Sequence, residues 1–358
     1  KRDRPLAGWL FFSAGLVFGV VIIGGVTRLT ESGLSMVDWS LLHYKPPRSE
    51  DEWTEYFDKY KTSPEYQLSN VGMSVDDFKK IYYMEYGHRM LGRVVGACYI
   101  FPMIYFMWTR RSTMSIQHRV LLFSVGGLLL FQGFLGWYMV KSGLDPEIIE
   151  RGDVPRVSPY RLAAHLTTAF AIYLLMLRGG MIALNPTSYF GECMLTMGEK
   201  DKLRKLRSTV TGSAHLIGIT AISGAFVAGL DAGLVYNTFP KMGNHWVPDD
   251  FMALRPKWRN FVENPSAVQF VHRALATLSF LSILRVGKLG WKSIPHIPQF
   301  RQVKLGLVLF VLTGFTQVSL GISTLLFHVP IPLAAAHQAG SLTLLTISSW
   351  LLHILRRF

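Results

Sequence analysis

The sequence contains little cysteine and little charge for its length. Only 2 of its 358 residues are cysteine, which excludes a disulfide-rich scaffold and any four-thiolate metal or cluster site. Cys98 lies in an apolar run and Cys193 in a polar segment, so we expect neither to be bridged or catalytic. Charged residues make up 17% of the chain, against about a quarter in ordinary soluble proteins. An average soluble enzyme is therefore not expected.

Long stretches of the chain lack charge altogether. Residues 5–27, 120–140 and 208–230 contain no Lys, Arg, Asp or Glu, and about 20 apolar residues suffice to cross a bilayer as a helix. The uncharged stretch 305–355 is interrupted by His-Val-Pro-Ile-Pro, which divides it into two further spans. Three shorter candidate spans lie at 84–108, 162–184 and 266–284. The sequence therefore predicts an all-α membrane protein with eight transmembrane helices.

The net charge of +14 is distributed unevenly between the two sides of such a membrane protein. If the N-terminus is inside and the spans alternate, the inner segments contain 19 of the 37 Lys and Arg but only 4 of the 23 acids. An excess of Lys and Arg on the inner side is usual for membrane proteins. The basic charge is therefore no sign of nucleic-acid binding, and both termini are predicted to be inside. Because the chain begins Lys-Arg-Asp-Arg without Met, one expectation is that a cleaved targeting segment precedes it.

The second half of the sequence repeats the first. EYGHRMLGR at 85–93 corresponds to QFVHRALAT at 269–277, and both contain a His-Arg pair. Three further segment pairs agree in the same order: GGVTRLTESGLSM with SGAFVAGLDAGLVY, QGFLG with QVSLG, and RLAAHLTTA with PLAAAHQAG. Four helices separate the copies, so both have the same orientation in the bilayer. We predict two pseudo-symmetric four-helix bundles, formed by 1–207 and 208–358.

The outer connection 28–83 is longer than its counterpart 231–265 and is rich in acidic and aromatic residues. Its segment Ser74-Val-Asp-Asp77 has the pattern of a helix N-cap that leads into the second span. We expect 28–83 to fold as a cap over the first bundle. A solvated linker is the alternative.

Four of the eleven histidines recur at matched positions of the repeat: His88, His165, His272 and His337. Each lies near the start of a span that enters from outside, so each bundle presents two imidazoles at similar depth. Ionisable groups inside a membrane usually face the protein interior and have a function. Two facing imidazoles suit the axial positions of a haem iron, whereas zinc requires three or four ligands and a proton relay would require acids across the membrane. The alternative is that the histidines are hydrogen-bonded packing residues.

Three arginines accompany these histidines. Arg89 and Arg273 directly follow a histidine, and Arg93 lies one turn below Arg89. Guanidinium groups at this depth could pair with haem propionates. Alternatively, they extend towards the outer lipid headgroups.

The two halves differ three residues before the first histidine of each pair. The first half has Glu85 there, and the second has Gln269. A carboxylate can transfer a proton or stabilise positive charge on a bound ligand, and a glutamine can do neither. The first bundle is therefore predicted to be the reactive site and the second an electron-transfer site. The alternative is a glutamate that is merely ion-paired with Arg89 or Arg93.

The motifs GGVTRLTESGLSM and EYGHRMLGR, together with the four paired histidines, closely resemble haem A synthase over essentially the whole chain. The long outer loop without a cysteine pair is similar to the mitochondrial form. The resemblance implies oxidation of a methyl group of haem O to the formyl group of haem A, for cytochrome c oxidase. It implies that His272 and His337 ligate a resident haem b. His88 and His165 would hold the substrate haem, and Glu85 would match the family's functional glutamate.

The resemblance places the chain in the mitochondrial inner membrane, with both termini in the matrix. Its basic inner loops suit a matrix ferredoxin as electron partner. Contacts with the farnesyltransferase that makes haem O and with oxidase assembly factors stay open, as does a homo-oligomer. The main alternative function is a membrane cytochrome that relays electrons through two bis-histidine haems without changing either. A transporter with duplicated halves would more typically have broken helices and polar sites at the midplane.

Overall fold

The computed structural model describes residues 3–39, 45–110, 114–151, 155–185, 195–294 and 300–356. Within these ranges the chain forms helices and no β-strand, which confirms the predicted all-α class. Cys98 is a free cysteine, as expected, and Cys193 lies outside the described residues.

Twelve α-helices occur in the described part of the chain. Eight are long: α1 (Arg4–Leu29), α4 (Val75–Thr109), α5 (Ile116–Gly143), α7 (Pro159–Leu184), α8 (Met197–Gly229), α10 (Pro265–Ser293), α11 (Arg301–Leu326) and α12 (Ile331–Ile354). Four are short: α2 (Glu50–Lys61), α3 (Pro64–Ser69), α6 (Glu147–Arg151) and α9 (Asn260–Glu263). Two 3₁₀ turns, Ala232–Leu234 and Lys257–Arg259, lie in the second outer connection.

Seven of the long helices are apolar enough to cross a membrane: α1, α4, α5, α7, α8, α10 and α11. The eighth predicted span forms the 24-residue helix α12. It is not among the seven, because His337, Gln338 and several Ser and Thr residues lower its hydropathy. Seven candidate spans are therefore found among the described residues, and an eight-span topology stays a prediction.

The long helices are arranged as two rings. In the first half, α1, α4, α5 and α7 each contact the next, and α7 closes the ring on α1. In the second half, α8, α10, α11 and α12 contact one another in the same order. The halves meet where α12 contacts α1 and α7, and where α7 contacts α8. Two four-helix bundles would produce such contacts, although a symmetry axis that relates them stays a prediction.

An ion-pair cluster joins the outer ends of the two halves. Arg28 at the end of α1 donates to the Asp231 carboxylate at 2.8 Å, and Arg156 approaches the other carboxylate oxygen at 3.4 Å. Asp231 has a left-handed backbone with φ of 52°, and Glu31, its counterpart in the first half, has φ of 50°. The acid before Gly-Leu therefore ends the first helix of each half in the same conformation.

Helix α4 extends beyond the membrane span that the sequence predicts. The expected span 84–108 is the inner part of this 35-residue helix, which begins directly after the predicted N-cap residue Ser74. The predicted N-cap is confirmed, since the Ser74 hydroxyl accepts a hydrogen bond from the Asp77 N–H at 3.1 Å. The additional outer turns carry Phe78 and Tyr82, which are both buried. An aromatic surface to pack against explains why the helix extends beyond the membrane-spanning residues.

Residues 45–74 fold as a cap on these outer turns. Trp53, Phe57 and Tyr60 of α2 form one buried cluster with Phe78 and Tyr82 of α4. The Tyr60 and Phe78 rings are stacked with centroids 5.0 Å apart, and the Trp53 and Tyr82 rings meet edge to face at 5.1 Å. Such aromatic pairs add about 0.5–1.5 kcal/mol each beyond the area they bury. The expected cap is thus confirmed for the described residues, and a solvated linker is excluded there.

A buried carboxyl group lies within this cap. Glu65 on α3 is 5% exposed and accepts a hydrogen bond from the Tyr60 hydroxyl at 2.8 Å. The Asn70 amide in turn donates to the Tyr60 oxygen at 2.7 Å. Burial raises the pKa of Glu65 to about 8, and the negative charges of Glu85 and Glu31 act in the same direction. Glu65 is therefore mainly protonated at neutral pH.

The raised pKa of Glu65 makes the stability of the cap depend on pH. Protonated Glu65 stabilises the folded cap fully below pH 4.5, the usual Glu pKa, and this stabilisation is lost as pH rises through about 8. We expect the opening of α2 and α3 to increase by about tenfold or more between pH 5.5 and 8.5. Hydrogen exchange, corrected for its intrinsic pH dependence, measures this opening. Glu65→Gln should remove the pH dependence, whereas Glu55→Gln at an exposed position of α2 should retain it. Equal opening of the wild-type cap at both pH values would contradict the prediction.

Candidate functional site

The four predicted histidines lie in two pairs, one in each ring of helices. His88 on α4 and His165 on α7 are close enough to interact electrostatically. His272 on α10 and His337 on α12 have ring centroids 6.5 Å apart, with their planes at 82°. All four side chains are at least partly buried. The structure thus brings together the residues that the repeat pattern paired.

Each of these imidazoles packs against a glycine of a neighbouring helix. A Cβ atom at any of these glycines would lie only 2.8 to 3.3 Å from the ring, which is too close for an unshifted side chain. The pairs are Gly24 with His88, Gly136 with His165, Gly224 with His272, and Gly321 with His337. The glycines therefore set how closely the rings approach the adjacent helix.

This function of the glycines was not predicted from the sequence, although the signal was present. Gly136 and Gly321 are the last residues of QGFLG and QVSLG, which served only to align the two halves. The first residues of the same motifs also contact the site. Gln132 donates to the backbone carbonyl of His165 at 3.0 Å, and Gln317 donates to that of His337 at 2.9 Å.

The polar atoms of the rings favour a bound ligand. Among the described residues, Nδ1 of His165 and Nδ1 of His337 are buried and have no hydrogen-bond partner. Nδ1 of His272 is hydrogen-bonded to the Ser223 hydroxyl at 2.7 Å. A hydrogen bond to one ring nitrogen fixes the imidazole and leaves the other nitrogen, here Nε2, for a metal.

The donor set of each site fits haem better than a bare metal ion. The described part of the chain contains no group of three or more His, Cys, Asp and Glu that could hold a metal. Two imidazoles equal the number of axial positions of a haem iron. The ring centroids of His272 and His337 are 6.5 Å apart, so a single bound group can contact both imidazoles. The residues present therefore fit a haem with two histidine ligands.

Glu85 is fixed by three donors. It is 2% exposed, and its Oε1 accepts from Arg89 at 2.6 Å. Its Oε2 accepts from the Ser35 hydroxyl and from the Met36 N–H, both at 2.7 Å. Arg89 also donates to the carbonyls of Met36 and Asp38. The ion pair with Arg89 that the sequence left open is therefore present, and it attaches the segment after α1 to α4.

Gln269 occupies the same position in the second half. Its amide donates to the carbonyls of Ala232 at 2.8 Å and Tyr236 at 3.1 Å. Arg273 donates to the Tyr236 carbonyl at 2.9 Å and to Oε1 of Gln269 at 3.3 Å. Both halves therefore use this position to hold the segment after their first helix. The halves differ in the group and in the direction of its bonds, since the Glu85 carboxylate accepts from its segment and the Gln269 amide donates to carbonyls of its segment.

The three predicted haem-binding arginines have different surroundings. Arg89 and Arg273 donate to protein acceptors, and Arg89 also stacks on Trp39 at 4.7 Å from the ring centroid. Arg93 lies one turn further inward on α4, where it is partly buried and contacts the Met90 sulfur at 3.7 Å. Pairing of these arginines with haem propionates stays a prediction.

The chain is similar to known proteins over nearly its whole length. The model of the family described as "COX15-CtaA: Cytochrome oxidase assembly protein" matches residues 7–349. The chain is 49% identical to "Heme A synthase COX15" of Bos taurus, covering 99% of this chain and 83% of that protein. It is 42% identical to the protein of the same name in Saccharomyces cerevisiae, covering 97% and 74%. It is also 38% identical to the "Heme A synthase-mitochondrial ferredoxin fusion protein" of Schizosaccharomyces pombe, covering 96% and 59%.

The close contact of Gly321 with His337 predicts that an added methyl group displaces the ring. The Cβ of Gly321→Ala would lie 2.8 Å from Cε1 of His337, and such overpacking typically costs about 1–3 kcal/mol. We expect the purified variant to retain less than about half of the haem bound between His272 and His337. The reduced-minus-oxidised absorbance spectrum per protein measures this amount. Gly218→Ala on α8 is the control, since nothing lies within 4 Å of its Cβ position. Full haem content in Gly321→Ala would show that the ring yields without loss of binding.

Proposed function

The chain belongs to the COX15-CtaA family of cytochrome oxidase assembly proteins, and from this we propose that it oxidises a methyl group of haem O to the formyl group of haem A. The relatives are named heme A synthase, and seven membrane-length helices support a multi-pass protein of the mitochondrial inner membrane. In this proposal both termini are in the matrix. The product would serve the assembly of cytochrome c oxidase.

We assign the two steps of this function to the two halves. Residues 1–207 would bind the substrate haem through His88 and His165. Residues 208–358 would hold a resident haem b through His272 and His337. The observation that carries this assignment is the exchange of Glu85 for Gln269 at a position that holds the segment after the first helix in each half. A carboxylate can stabilise positive charge that develops on a reacting substrate or accept a proton from it, whereas electron transfer alone requires neither.

The proposed reaction proceeds in two oxidations of the substrate. The methyl group becomes an alcohol, and the alcohol becomes a geminal diol, which loses water to leave the formyl group. Each oxidation adds one oxygen atom to the carbon. This atom comes either from O₂, whose second atom is reduced to water by two electrons from the partner and two protons, or from water, in which case two electrons and two protons leave the substrate. When bound, haem b supplies one-electron redox chemistry between the substrate and an external partner.

In this proposal Glu85 is a catalytic residue, because of its position near His88 and the hydrogen bonds that hold it. It lies three residues before His88 and therefore on the same face of α4. Because Arg89, Ser35 and Met36 hold both of its oxygens, the carboxylate is oriented before the substrate binds. It would stabilise positive charge on the oxidised substrate or accept a proton from it.

A matrix ferredoxin is the proposed electron partner. One relative is named as a fusion of heme A synthase with mitochondrial ferredoxin, which supports a ferredoxin as the donor class. The fusion shows that the two activities can occur in one polypeptide. The alternative, a cytochrome that only relays electrons, is not favoured because the relatives are named as synthases.

Extraction of the haems tests this division between the halves. Protein purified from a host that makes haem O should release haem B together with haem O and haem A, identified by mass. His337→Ala removes one proposed ligand of haem b and should lose haem B while it retains haem O. Haem B alone in two equivalents would support the electron-relay alternative, and absence of haem would contradict the proposal. Full retention of haem B in His337→Ala would show that the ligand assignment is wrong.

A pair of matched substitutions tests Glu85. Glu85→Gln keeps one oxygen that can accept from Ser35 and Met36 but removes the charge and the acceptor for Arg89, so both haems should stay bound while conversion of haem O falls by at least about a hundredfold. Glu85→Ala should also stop conversion, and it additionally releases the segment after α1. Asp249→Asn removes the charge of an exposed acid in the second outer connection, so this control should leave conversion intact. Normal conversion in Glu85→Gln would remove the charge of Glu85 from the mechanism.

A further inference from the structure

A cavity lies between the inner ends of α1, α7 and α12, where the two halves meet. Its volume is about 300 Å³, at the lower end of the range for ligand sites. Its wall is mainly apolar and includes Phe11, Leu177, Met181 and Trp350. The polar residues Asn185 and His353, at the ends of α7 and α12, form its rim. The cavity is distinct from the histidine pairs, because Met181 follows His165 by roughly 24 Å along α7.

Positive charge is concentrated at the polar rim. The Arg356 guanidinium lies 3.1 Å from Nδ1 of His353 and donates to the backbone carbonyl of Asn185. Arg178 on α7 is close enough to interact electrostatically with His353. The nearby acid Asp3, which donates its N–H to the Ala183 carbonyl, is ion-paired with Arg110. The acid therefore does not cancel the charge at the rim.

An apolar slot with a cationic end has the chemistry of a lipid site. In the proposed topology the rim lies at the level of the inner headgroups, and the slot extends into the hydrocarbon region. Basic pockets between membrane helices on this side of a membrane are suited to anionic headgroups. The slot excludes a highly charged ligand, since Leu177, Met181 and Trp350 offer no partner for buried charge.

We propose that this cavity binds an anionic glycerophospholipid of the inner leaflet. One acyl chain lies in the slot, and the phosphate contacts Arg178, Arg356 and His353. Because α7 belongs to the first half and α12 to the second, one lipid contacts both. The lipid thus stabilises the interface between the halves at the end opposite to the histidine pairs.

Photo-crosslinking of the purified full-length protein tests the site. The probe is phosphatidylglycerol with a diazirine in one acyl chain, and labelled peptides are mapped by mass spectrometry. We expect labelling within 177–185 and 346–353. Unlabelled phosphatidylglycerol should compete at least about fivefold better than phosphatidylcholine with the same chains, since each basic residue near a surface contributes about fivefold to binding an anionic lipid.

Variants separate the contribution of the charges from that of the slot. Arg178→Gln with Arg356→Gln should lower labelling by at least about tenfold, whereas Arg285→Gln, at an exposed position of α10, should not. Met181→Trp should block the slot and abolish labelling there, and thermal unfolding reports whether this variant is folded.

Three outcomes would overturn the proposal. The first is labelling outside the two segments, and the second is equal competition by phosphatidylcholine. The third is competition by farnesol but not by phosphatidylglycerol, which would identify the occupant as an isoprenoid chain such as that of the substrate. None of these outcomes depends on conversion of haem O, so failure here leaves the proposed function untouched.

Discussion

Imidazoles inside an apolar helix bundle require partners, and this requirement determines much of the surrounding structure. Each ring lies against a glycine of a neighbouring helix, because a larger residue there would displace the ring or the helix that carries it. Gln132 and Gln317 bond to the backbone of the second histidine of each pair. Buried polar atoms on His165 and His337 nevertheless have no partner among the described residues. Such atoms are costly unless a ligand or ordered water occupies the space between the helices.

The two halves hold the segment after their first helix with different side chains, a glutamate in the first half and a glutamine in the second. Glu85 and Gln269 both attach the segment after the first helix of their half, and an arginine one turn further on completes each network. The partners differ, since Glu85 accepts from the Ser35 hydroxyl and the Met36 N–H, whereas the Gln269 amide donates to two carbonyls. The carboxylate therefore suits the donors of its own segment. A buried ion pair adds little net stability, because removing two charges from water is costly, and in our proposal the charge of Glu85 also serves the reaction.

Much of this arrangement could be predicted from the sequence. The uncharged stretches predicted the spans, and the repeat predicted which histidines meet, because both patterns follow from burial. The N-cap pattern at Ser74 predicted where α4 begins, but the packing of α2 on Phe78 and Tyr82 could not be predicted. The glycine contacts of the histidines and the inner cavity were missed for the same reason. They depend on how neighbouring helices approach each other, and spacing within one helix does not report that distance.

The cap is a second difference between the halves, and it lies in the same half as Glu85. Its aromatic cluster packs on the outer turns of α4, the helix that carries Glu85 and His88. In the corresponding connection of the second half, Trp246 and Trp258 are exposed. A site that only transfers electrons tolerates water nearby, whereas oxidation of a substrate carbon benefits from a closed site in which a carboxylate acts at full strength. The cap and Glu85 therefore support the same assignment of the reactive site to the first half, although one arises from packing and the other from charge.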